Sequence, residues 1–74
     1  MASKPKKSLL DVFAANVRAL RGKKQLTQEA LARKVGISVS YISMLERGQR
    51  SPPLETLGNI AAAFGVPPCD LLVS

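Results

Sequence analysis

The chain has 74 residues, 46% of them apolar, with 11 Lys and Arg against 5 Asp and Glu, one Cys and no His. That length excludes more than one small domain, whose stability should be on the order of 5 kcal/mol, and the apolar fraction excludes a disordered chain. The formal net charge of +6 favours a polyanionic partner, either nucleic acid or an acidic membrane surface, unless it serves solubility alone.

Residues 1–7 carry Lys4, Lys6 and Lys7 without periodicity. They read as a flexible basic arm ahead of a domain over residues 8–74. The lysines either reach along a polyanion or form a tail that aids solubility. The apolar stretch that follows is too short and interrupted for a signal peptide, and no transmembrane run exists. A cytoplasmic location without membrane association is expected. The lone Cys69 has no internal partner, fits a reducing compartment and is expected to be partly buried.

Ser8 is placed to cap a first helix, with Asp11 three residues on. Leu9, Val12, Phe13, Val17 and Leu20 then recur at spacings of three and four up to Arg21, which predicts one amphipathic face. Gly22 and two lysines are expected to close this helix. Thr27 caps a short second helix, with Leu26 and Leu31 in the positions of a hydrophobic staple. Gly36 offers it a left-handed stop. The same grammar repeats at once: Ser38 is a cap, Ile37 precedes it, Ile42 follows four later, and Gly48 ends the third helix. A fourth helix carries Leu54, Leu57, Ile60, Ala61 and Phe64 and stops at Gly65. Pro67 and Pro68 open a last turn or two containing Leu71 and Leu72. No segment alternates as a strand should.

Two short helices joined by three residues at Gly36 must cross steeply. Ala32 is the small residue that such a crossing needs. Leu31, Val35, Ile37, Ile42 and Leu45 supply the inner face, and Ser38, Val39, Ser40, Ser43 and Met44 are left on the outer face of the third helix. The bland alternative is a helical hairpin that merely packs.

The run Thr27-Gln-Glu-Ala-Leu-Ala-Arg-Lys-Val-Gly-Ile-Ser-Val-Ser-Tyr-Ile-Ser-Met-Leu-Glu-Arg-Gly resembles the Cro/CI-type (XRE) helix-turn-helix family. Pro53-Leu-Glu-Thr-Leu and Ile60-Ala-Ala-Ala-Phe-Gly-Val resemble that family's fourth helix, and the likeness covers about residues 9–73. It implies an all-α, lambda-repressor-like bundle of five helices that sets its third helix, about residues 38–47, in the DNA major groove, usually as a two-fold dimer.

Residue by residue, the resemblance implies that Gln28 touches a phosphate or braces the third helix. Ser38, Val39, Ser40, Ser43 and Met44 match base-facing positions. Arg21 and Glu46 match a salt bridge between the first and third helices. Arg47, Gln49 and Arg50 fall in a loop along the DNA backbone, and Tyr41 either approaches that backbone or covers the core with its ring. Two features depart from the family pattern. Pro53 stands where a Ser or Thr cap is usual, and the recognition face lacks the Arg, Asn and Gln that read bases by paired hydrogen bonds.

The function expected is a stand-alone transcriptional regulator, repressor or activator, acting on a palindromic double-stranded DNA operator as a homodimer. The resemblance places the dimer contacts in the C-terminal helices, near Leu71, Leu72 and Val73. The alternative is that those side chains complete the monomer core. A protein-interaction module on the same fold is the alternative from another class. Without His or a Gly-rich phosphate loop, and with its acids scattered, the chain is not expected to be an enzyme or to hold a cofactor or metal.

Overall fold

A computed structural model describes residues 8–74; the basic arm expected over residues 1–7 lies outside the described residues. Four α-helices and one 3-10 turn follow in order: α1 (Leu9–Lys23), α2 (Gln28–Val35), α3 (Val39–Glu46), α4 (Leu54–Phe64) and the turn Pro68–Leu71. No strand occurs among the described residues.

Local sequence explains where three helices begin. The hydroxyls of Ser8, Thr27 and Ser38 accept hydrogen bonds from the backbone N–H groups of Asp11, Ala30 and Tyr41 at 3.0–3.1 Å. Each satisfies one donor that a helix start leaves without a partner. Pro53 begins α4 with no side-chain hydrogen bond, as a residue without a polar side chain must.

The helix ends share one grammar. A left-handed residue follows each end within two positions: Gln25 (φ 57°), Gly36 (φ 86°), Gly48 (φ 71°) and Gly65 (φ 74°). Two backbone bonds close the α1 end, Gln25 N–H to the Gly22 carbonyl and Leu26 N–H to the Arg21 carbonyl, at 3.1 and 2.9 Å. This paired closure satisfies carbonyls that the helix abandons. It also corrects the expected stop at Gly22. The helix runs on to Lys23, and Gln25, not a glycine, takes the left-handed conformation.

The fifth helix of the expected bundle is a single 3-10 turn. Its bonds, Asp70 N–H to the Pro67 carbonyl and Leu72 N–H to the Cys69 carbonyl, span three residues, not four. Four residues are too few to propagate an α-helix.

The core draws on every element. Phe13, Val17, Leu31, Ile42, Leu45, Ile60 and Leu71 are each at most 2% exposed. Ala32 is buried on α2, which packs against both α3 and α4, while α1 packs on α3 and on the 3-10 turn. Leu10 packs against the core, whereas Leu9 at the first helical position overhangs its edge and is 60% exposed. Leu71 completes the monomer core, Leu72 is half-buried, and Val73 is exposed. Since Leu71 takes the inward position of its turn, Cys69 lies outside and is exposed rather than partly buried. Asn16 ties this last segment to α1, its Nδ2 donating to the carbonyls of Leu71 at 2.9 Å and Val73 at 2.8 Å.

Candidate nucleic-acid interface

The connection between α2 and α3 is three residues, Gly36 to Ser38. The Gly36 and Ile37 N–H groups both reach the Ala32 carbonyl, at 2.7 and 3.1 Å. The chain can fold back this tightly because glycine accepts φ 86° without a Cβ clash. The turn sets α3 across α2 with one face inside, where Ile42 and Leu45 are wholly buried. The polar face stays outside. Ser38 and Ser40 are exposed, and Ser43 and Met44 are half-buried. Val39 and Tyr41, also half-buried, pack against the core.

The far end of α3 is fixed by a polar cluster around Glu46, which is 3% exposed. Arg21 Nε donates to Glu46 Oε2 at 2.6 Å and Nη2 to Oε1 at 3.1 Å, while Nη1 holds the Leu26 carbonyl at 3.1 Å. Gln28 Nε2 donates to Oε1 at 3.0 Å. The amide of Gln28 is therefore spent on bracing α3 from the first residue of α2. A buried carboxylate is tolerable only when its lone pairs are met, and here three donors meet them. Hydrogen bonding to Glu46 holds the Arg21 guanidinium above its ordinary pKa. The attraction it reflects is present below that ordinary value and is lost only as the pH climbs past the raised one. It persists across the physiological range.

Arg18 also donates to the backbone carbonyl of Glu46. Sequence reasoning missed this residue. Its signal was the spacing of three from Arg21, which puts both guanidinium groups on one side of α1. A cation at the last carbonyl of a helix is favoured by the helix dipole.

Beyond α3 the chain turns through Gly48, where a Cβ would stand 3.3 Å from Asp11 Oδ1. Arg47, Gln49 and Arg50 are exposed along this loop. Arg33 and Lys34, exposed in the last turn of α2, add cations that the sequence reading did not single out. No group of His, Cys, Asp and Glu able to hold a metal occurs among the described residues. Nor, among them, is any helix long and apolar enough to cross a membrane.

A short helix pair about a left-handed glycine, with the second helix buried on one side and polar on the other, defines the helix-turn-helix class. Sequence comparison sets the chain within that class. A helix-turn-helix family profile (HTH_3) matches residues 17–71, and the chain belongs to this XRE-type family of transcriptional regulators. It is 43% identical over 61 residues to the uncharacterized HTH-type transcriptional regulator y4dJ of Sinorhizobium fredii, covering 82% of this chain and 79% of that one. Two further curated relatives, the CTXphi transcriptional repressor RstR of Vibrio cholerae and the regulator DdrOP3 of Deinococcus deserti, are longer, and the chain spans 55% and 43% of their length.

Solved structures agree. The hypothetical transcription factor NHTF from Neisseria superposes with a TM-score of 0.87 at 36% identity, over 99% of this chain and 85% of that one. The restriction-modification controller protein C.Esp1396I, a tetramer in complex with its natural 35 base-pair operator, gives a TM-score of 0.76 at 31% identity, over 82% and 80% of the two chains.

Proposed function

We propose that this chain is a sequence-specific, double-stranded DNA-binding regulator of transcription that sets α3 in the major groove as a homodimer on a palindromic operator. The observation that carries the reading is the two-sidedness of α3. Its inner face and its end are locked by Ile42, Leu45 and Glu46, while Ser38 and Ser40 are exposed at its start and Arg47 and Arg50 past its end. A fixed helix with a free polar face is what groove reading requires, and flanking cations suit phosphate oxygens. The C.Esp1396I tetramer on its operator supports an oligomer on DNA.

With no Arg, Asn or Gln on α3, paired hydrogen bonds to purines are not available from that helix. Readout then rests on thymine-methyl contacts from Met44 and Val39, on the hydroxyls of Ser40 and Ser43, on bridging water and on DNA shape. Arg47, Gln49 and Arg50 hold the backbone and set the register. Selection of bound duplexes from a random pool tests this. The expected result is a symmetric pair of half-sites about 10 base pairs apart, centre to centre, or a multiple of that spacing. A pool that shows no enrichment at all overturns the reading.

A further inference from the structure

Of the five acids in the chain, Glu46 is spent on Arg21 and Gln28. Asp11 is placed differently. It is exposed in the first turn of α1, yet it lies against the loop that leaves α3. A Cβ on Gly48 would stand 3.3 Å from Asp11 Oδ1, so the carboxylate rests on the backbone between Arg47 and Gln49. Glycine at 48 thus serves twice: it takes φ 71°, and it leaves room for the acid.

The carboxylate does not tie the loop down. The N–H groups of Gly48 and Gln49 donate elsewhere, to the carbonyls of Leu45 at 3.1 Å and Met44 at 2.9 Å. Among the described residues the only ion pair is Arg21 with Glu46. What Asp11 brings to this loop is its charge.

We propose that Asp11 is an electrostatic brake on DNA binding: its carboxylate, seated on Gly48, opposes the phosphates that Arg47 and Arg50 attract. The inference rests on the reading of this loop as the one that follows the DNA backbone. A fixed negative charge beside cations lowers the potential they present, and it repels a phosphate directly. Both effects act on the sugar-phosphate chain, which carries no sequence information. Asp11 therefore sets how tightly any duplex is held, and α3 keeps the choice among sequences. The net charge of +6 gives the brake a use. A strongly basic chain clings to every duplex, and a repulsive element at the contact lets it leave the sites that α3 does not reward.

The test compares the whole chain with Asp11→Asn, Asp11→Glu and Asp70→Asn. Asparagine keeps the backbone N–H that Ser8 caps, so α1 should still form. Asp70→Asn removes the same charge from the 3-10 turn, where Asp70 lines a hollow with Asn16 and Lys23, on the other half of α1. On random-sequence duplex at low salt, Asp11→Asn should bind about threefold tighter per protomer, the effect of one phosphate roughly 8 Å from the lost charge in water. The gain should fade as salt screens it. Asp11→Glu and Asp70→Asn should stay near the parent, and a random pool should yield the same selected sequences for Asp11→Asn as for the parent. If Asp11→Asn binds no tighter than the parent, the acid serves the helix dipole alone and the proposal is overturned. An equal gain in Asp70→Asn overturns it too. A parent chain that binds no duplex at any salt overturns the DNA reading itself, an outcome distinct from either.

Discussion

Arg21 and Glu46, 25 residues apart, meet through two parallel hydrogen bonds, 2.6 Å from Nε to Oε2 and 3.1 Å from Nη2 to Oε1. One end of α3 is thereby fastened to α1 by a guanidinium whose third donor position is also occupied, by the Leu26 carbonyl. Glu46 is nearly sealed from water, so the pair stabilises chiefly by not being broken.

Arg21→Ala should therefore cost about 3 kcal/mol in urea unfolding, because it strands a buried carboxylate with only Gln28 left on its oxygens. Arg21→Met combined with Glu46→Leu should recover most of that loss, since no unpaired charge remains. If the single and double variants prove equally unstable, packing and not charge governs this site.

Gln28→Ala removes one hydrogen bond to a charged group and should cost about 1.5 kcal/mol. Were Gln28 free to hold a phosphate, the same change would spare stability and weaken DNA binding alone. Measuring both quantities on one variant separates the two roles.

Gln25→Gly should raise stability by about 0.5–1 kcal/mol. A side chain at φ 57° is strained, and glycine removes the strain at a smaller entropic cost. Gly36→Ala does the opposite at φ 86°, with open space around its Cβ, and should cost about 1 kcal/mol by backbone strain alone. Thermal unfolding of the two variants should move in opposite directions.

On DNA, Arg47→Ala should weaken binding to all sequences alike and lower the salt slope by about one unit per protomer. Ser40→Ala and Met44→Ala should leave non-specific binding unchanged and alter the preferred sequence. Binding titrations against operator and random duplex at several salt concentrations check both statements. An unchanged salt response in Arg47→Ala would remove that residue from the backbone contact.

The starts of α1, α2 and α3 were legible because each depends on a hydroxyl and an N–H three residues apart, an arrangement written locally in Ser8, Thr27 and Ser38. Gly36 was legible for the same reason. The end of α1 was not. Gly22 looked like the stop, but the left-handed residue is Gln25, because the closing bonds must bring Leu26 onto the core and composition does not say which residue absorbs the strain. The expected fifth helix is reduced to the four residues Pro68–Leu71, too short to propagate as an α-helix, and its bonds are of the 3-10 type. Leu9 matched the helical period yet lies outside, since periodicity gives a direction around an axis and not how far the core extends along it. In the interface region, Arg18 shares a side of α1 with Arg21 by its spacing of three, but its partner, a backbone carbonyl, is not written in any side-chain pattern.

The amide of Asn16 grips two carbonyls 55 and 57 residues downstream, and Leu71 beside it seals the interior. As the polypeptide grows during synthesis, α2, the turn and α3 all appear well before the residue that closes the cavity over them. The helix-turn-helix half thus rests on a core that the last turn completes. A chain stopped short of Leu71 would display the whole helix-turn-helix sequence with a hole in the core beneath it.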